Sequence, residues 1–103
     1  MWAQIIKTRV KPGSEADVAV LMDQFKTAEQ ADSGLIRSTT MRDQKDPDSL
    51  YIMVVFDSEE SARAREQDPR REPGLAGARE TMARIFEGSP DFIDLNVVME
   101  TTF

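Results

Sequence analysis

The chain is 103 residues long, with 40% hydrophobic and 31% charged side chains, the makeup of a single globular domain over 1–103. Thirteen basic against nineteen acidic side chains give a net charge of −6 with no basic stripe, which argues against a nucleic-acid partner. There is no His and no Cys, which excludes Ser-His-Asp and Cys-His catalysis, His-ligated haem, zinc sites built on those residues, and disulfides.

Trp2 to Lys11 is rich in β-branched and aromatic residues and stops at Pro12-Gly13, which predicts a strand and a turn. Ser14 supplies an N-cap oxygen, and Glu15 and Asp17 follow in the first turn, where the helix dipole favours acids. Val18, Leu21, Met22, Phe25 and Ala28 then recur at helical spacing, and Gly34 stands where the chain needs a left-handed turn. Leu35 to Arg42 predicts a second strand. Asp43 to Asp48, centred on Pro47, predicts a turn. Leu50 to Phe56 is a third strand, antiparallel to the second.

Asp57-Ser58-Glu59-Glu60 reads as a cap with an acidic first turn, opening a short helix that meets Pro69. Arg70 to Pro73 is a polar joint. Leu75, Ala78, Met82, Ile85 and Phe86 form a second apolar stripe, closed by Gly88 and Pro90. Phe92 to Glu100 alternates as a last strand. The order βαββαβ is that of the split βαβ, ferredoxin-like α+β fold, with a four-stranded antiparallel sheet carrying both crossover helices on one face.

The third strand is apolar on both sides: Leu50, Ile52, Val54 and Phe56 point one way, Tyr51, Met53 and Val55 the other. Such a strand wants cover on both faces. Two helices supply one cover. The same sheet face of a second copy supplies the other, so a homodimer joined through its sheets is expected. Met1-Trp2-Ala3-Gln4 does not open a signal peptide, and the longest apolar run, Leu50–Phe56, is far short of the roughly 20 residues of a membrane span. A cytoplasmic protein with no membrane partner is expected.

The strand-one exit Arg9-Val10-Lys11-Pro12-Gly13-Ser14-Glu15, the Gly34-Leu35 entry to the second strand, and the passage Val55-Phe56-Asp57-Ser58-Glu59-Glu60-Ser61-Ala62 carry a resemblance. Over essentially the whole length, the sequence resembles the antibiotic biosynthesis monooxygenase (ABM) family of dimeric α+β barrels. The resemblance implies a homodimer with a cavity between sheet and helices. It also implies either cofactor-independent oxidation of phenolic or anthrone-like aromatics by O₂ or degradation of haem. The haem-degrading members rely on an Asn-Trp-His set. Here there is no His, the only Trp is Trp2, the only Asn is Asn96, and Phe56 stands where many members carry Trp. No cofactor is expected.

An oxygenase without a cofactor must desolvate its substrate, orient it and stabilise a substrate anion. The candidates for stabilising that anion are Tyr51, Arg37 and Asn96, with Arg9, Gln4 and Thr39 beside them. Met22, Phe25, Met82 and Phe86 would roof an apolar pocket with adaptable walls for a small apolar or aromatic ligand. Tyr51 and the helix stripes are equally compatible with plain core packing. Asp43, Asp46 and Asp48 lack the Gly and terminal Glu of a calcium loop, so no metal site is expected. Arg63, Arg65, Arg70, Arg71 and Arg79 interleave with acids and read as a salt-bridged surface. The alternative to an oxygenase is a non-catalytic dimeric ligand-binding or structural protein.

Overall fold

The computed structural model describes residues 1–103. The elements are β1 (Trp2–Arg9), α1 (Glu15–Ala28), β2 (Leu35–Arg42), β3 (Ser49–Phe56), α2 (Glu59–Glu66), a 3₁₀ turn (Pro69–Arg71), α3 (Glu72–Ile85) and β4 (Asp91–Asn96). The strands form one antiparallel sheet in the order β2-β3-β1-β4. This is the ferredoxin-like α+β arrangement that the element order predicts.

Local chemistry explains most boundaries. The Ser58 hydroxyl accepts from the Ser61 N–H at 3.1 Å and caps α2. Gly34 takes φ +82°, and a Cβ there would stand 2.7 Å from both Asp57 Oδ1 and Ser61 Cβ. This glycine lets the start of β2 press against the start of α2, where the Asp57 N–H donates to the Gly34 carbonyl at 2.9 Å. Gly74 plays a packing role of the same kind. A Cβ on it would meet Ala28 Cβ at 2.7 Å, so α3 can lie close against the end of α1.

Three local expectations change. Ser14 does not cap α1 with its side chain, because its hydroxyl donates to the Lys11 carbonyl and closes the Pro12-Gly13 turn. The joint at Arg70–Pro73 is helical: Asp68 accepts from the Arg70 N–H at 2.9 Å, the 3₁₀ turn follows, and α3 starts at Glu72. β4 stops at Asn96 rather than Glu100. Its only neighbour is β1, and Asn96 already pairs with Trp2, the first residue of that strand. The tail then turns back over the sheet, with the Val97 N–H donating to the Met1 carbonyl at 3.2 Å and Glu100 accepting from Arg37 of β2 at 2.5 Å.

The two faces of the sheet have different surroundings. Under the helices, Val10, Val18, Leu21, Leu50, Ala78 and Ile85 form one buried cluster, and Trp2, Ile52, Val54, Phe56 and Ala62 a second. No helix covers the other face. There Ile5, Met53 and Thr39 lie in register across β1, β3 and β2 with Ile93 of β4.

Candidate functional site

Period-two alternation decides which strand side chains meet the helices. On that face Trp2, Gln4 and Ile6 of β1 stand opposite Phe56, Val54 and Ile52 of β3. Leu35, Ser38 and Thr40 of β2 extend the same surface beyond β3. Met22 and Phe25 of α1 and Ala62 of α2 roof it, leaving a cavity of about 430 Å³ between sheet and helices. That volume lies within the range of small-molecule pockets, and most of the wall is apolar.

Two features give the cavity its chemistry. The first is aromatic. Trp2 and Phe56 are cross-strand partners with ring centroids 6.0 Å apart and planes tilted by 53°. The Arg63 and Arg65 guanidinium carbons stand 5.1 and 5.4 Å from the Trp2 and Phe56 ring centroids, a cation–π geometry in each case.

The second feature is a charged group around Arg65. Its Nε donates to both carboxylate oxygens of Glu29, at 3.1 and 2.9 Å, and its Nη2 lies 2.8 Å from Oε2. Burial pushes the Glu29 carboxyl up, but the bonds from Arg65 and Ser33 outweigh it and hold the group below its ordinary range. Next to this pair is Arg71, only 7% exposed, which lines the cavity from the end of the 3₁₀ turn. The one hydrogen bond of its side chain runs from Nη1 to the Arg65 carbonyl at 3.3 Å, and its buried Nε has no partner. Burial, with repulsion from Arg65 added, lowers the proton affinity of this guanidinium.

Two polar side chains over the apolar floor are committed to neighbours. Thr40 donates to Met22 Sδ at 3.0 Å, and the Gln4 amide donates to Asp94 at 2.9 Å. The Arg71 guanidinium is the buried donor left over, beside the exposed Ser38 and Lys26.

The structure distributes the sequence candidates over three places. Met22, Phe25 and Gln4 line the cavity. Met82 and Phe86 do not: they pack against the cluster of Val10, Leu21 and Ile85, where α3 packs on α1. Tyr51, Arg37 and Thr39 stand on the helix-free face, set there by alternation from Ile52 and from Ser38. Tyr51 carries the Lys7 ammonium 5.8 Å from its ring centroid, and Arg37 is paired to Glu100. Asn96 is exposed at the end of β4, and Arg9 is tied to Asp46 and Ser49 at the far end of β1. Asp46 holds that arginine with its carboxylate from the turn between β2 and β3.

Trp2 and Arg71 were not legible as cavity residues. Trp2 appears only as the start of a strand until the β1–β3 register sets it against Phe56. Arg71 sits in a run of five arginines, four of which behave as the interleaved acids suggest. Arg63, Arg65, Arg70 and Arg79 each meet a carboxylate at 2.6–3.2 Å. Arg71 corrects the expectation of a uniformly salt-bridged surface, because the 3₁₀ turn directs it inward while its neighbours stay with the acids.

Residues 1–72 match the family model for antibiotic biosynthesis monooxygenase. The chain belongs to the ABM family. No curated protein matches it by sequence. Among solved structures, a putative antibiotic biosynthesis monooxygenase from Chloroflexus aurantiacus J-10-fl is similar, with 23% identity, a TM-score of 0.69 and 98% and 96% of the two chains covered. SnoaB, a cofactor-independent oxygenase from Streptomyces nogalater, is similar with 13% identity, a TM-score of 0.72 and coverage of 96% and 94%. MhuD, solved as a variant with two manganese protoporphyrin IX molecules per active site, is similar with 16% identity, a TM-score of 0.75 and full coverage of both chains.

A haem in this ABM cavity would need an axial ligand from its wall. Haem iron takes an axial imidazole, thiolate, thioether or phenolate. The cavity wall contains no His, Cys or Tyr, and the Met22 sulfur already accepts the Thr40 hydroxyl. These residues do not fit a ligated haem. The indole of this chain does lie beside position 56, supplied by the neighbouring strand.

Proposed function

We propose that this ABM protein is a homodimer whose subunits each hold a small, planar, largely apolar aromatic molecule in the cavity between sheet and helices. We further propose that it oxidises that molecule with O₂ and no cofactor. The observation that carries this reading is the apolar cavity of about 430 Å³ walled by Trp2 and Phe56, inside a chain of the ABM family. SnoaB, a cofactor-independent oxygenase of similar fold, supports the choice of chemistry.

For an anthrone-type substrate the step balances with O₂ alone. The ionised substrate gives one electron to O₂, and the radical and superoxide then combine to a hydroperoxide. Loss of water leaves a new C=O, so a ring CH₂ and O₂ become a ketone and H₂O. The chain would exclude water, align the rings against Trp2 and Phe56 and offer positive charge to the substrate anion.

The homodimer is supported by surface. The chain exposes 6827 Å², whereas a folded chain of this size exposes roughly 5,800 Å². On the helix-free face Met41, Ile93 and Leu95 are each 40–49% exposed.

A non-catalytic ligand-binding dimer is the second reading. It is favoured by the fact that Glu29 is held ionised by Arg65 and the cavity carries no His or Tyr to move a proton. Oxygen-electrode assays with anthrone and hydroquinones separate the two. Substrate-dependent O₂ uptake of about one O₂ per ketone formed supports the oxygenase. Ligand binding by calorimetry with no uptake across the panel rejects the oxygenase in favour of the binding protein.

A further inference from the structure

We propose that Arg71 is the anion anchor of the cavity and that the ligand is a planar aromatic acid whose carboxylate docks on its guanidinium. This rests on reading the cavity as an aromatic pocket and adds the class of molecule it selects. Five charged side chains border the cavity: Lys26, Glu29, Arg65, Glu66 and Arg71. Arg65 is neutralised by Glu29, and Glu66 by Arg63 at 3.1 Å. Lys26 is exposed on α1, where water screens it. Arg71 alone is both buried and without a carboxylate partner.

Its geometry favours one kind of guest. Nη1 is committed to the Arg65 carbonyl and Nε is buried without an acceptor, so the guanidinium fork keeps donors to spare. Such a fork matches the two oxygens of a carboxylate. Arg71 has no carboxylate in ion-pair contact, and Glu29 and Asp68 already favour its charge from farther off, so a single negative charge suits it better than a dianion. The apolar floor and the Trp2–Phe56 pair suit the flat ring that would carry it. In a chain of net charge −6, a cavity with a residual positive charge is a selective environment for an acid.

Isothermal titration with 2-naphthoate and its uncharged analogue 2-naphthamide tests the proposal. The readout is the ratio of the two affinities within each protein, which is insensitive to general loosening. The wild-type chain should prefer the carboxylate by about tenfold or more, the scale of one charge-assisted hydrogen bond in a buried site. Arg71→Met should abolish the preference, and Arg71→Lys should restore part of it, as a point charge without the fork. A preference that survives in Arg71→Met overturns the assignment. Equal wild-type affinities for the two probes overturn it too, without need of a folded variant, while leaving the aromatic pocket intact. Binding of neither probe overturns both the anchor and the pocket.

Discussion

Arg71 and Glu29 both line the cavity beside Arg65 and differ in what holds them. Glu29 has its charge answered by Arg65, which stabilises the folded chain. Its folded carboxyl titrates below the ordinary value of 4.5, so its stabilisation is complete above that value and is lost as pH falls through the lower folded value. Glu29→Gln should therefore cost about 2 kcal/mol at pH 7, with the gap to wild type closing as acid is added; urea denaturation across pH 3–8 checks this. Arg71 behaves in the opposite sense. Its charge is buried with no carboxylate in ion-pair contact, and burial outweighs the attraction of Glu29 and Asp68, so Arg71→Met should leave the ligand-free protein as stable as wild type or more stable by about 1 kcal/mol. Denaturation of the two proteins without ligand measures it. Higher stability together with lost carboxylate preference would separate a binding role from a structural one.

At the scale of the element, the joins matter more than the interiors. Ser58 was legible as a cap because the acids that follow it leave no competing role, and its hydroxyl does accept from Ser61. Ser14 carries the same signal, yet its hydroxyl goes to Lys11, since the tight Pro12-Gly13 turn brings that carbonyl closer than the helix N–H groups. Gly34 and Gly13 both have positive φ, +82° and +80°, but only Gly34 faces atoms that a Cβ would strike. Both Ala variants carry the left-handed penalty of about 1 kcal/mol. Gly34→Ala should lose a further 1–3 kcal/mol, roughly the cost of overpacking, as α2 is forced from β2. Comparing the melting curves of the two variants isolates that steric part. The end of β4 was misjudged in the sequence for a related reason: alternation continues to Glu100, while the partner strand does not.

For the whole molecule, the deciding question is what covers the second sheet face. Ile93 is half exposed on β4, in register with Ile5 and pointing away from the helices, so its substitution leaves the core untouched. Ile93→Lys should convert a sedimenting dimer into a folded monomer with unchanged helical circular dichroism. A wild-type protein that sediments as a monomer at tens of micromolar would reject the homodimer outright. The tail tied to Arg37 through Glu100 lies over the same face, and Val98 and Met99 beside it are exposed. Glu100→Gln, which frees Arg37, tests whether the tail belongs to the interface by its effect on the dimer dissociation constant.

The amino-acid sequence by itself determined the element order and the sheet. Caps, turn residues and two distinct periodicities are local signals, and the handedness of crossovers leaves one arrangement for βαββαβ. It also placed a two-sided apolar strand at the centre, because alternation is readable over a few residues. Only the tertiary structure decided where the cavity lies, that Trp2 faces Phe56 on the adjacent strand, that Met82 and Phe86 pack away from the cavity, and that one arginine of five forms no ion pair. Cavities and ion pairs depend on register and on the spacing between elements far apart in the chain, and no local pattern encodes either.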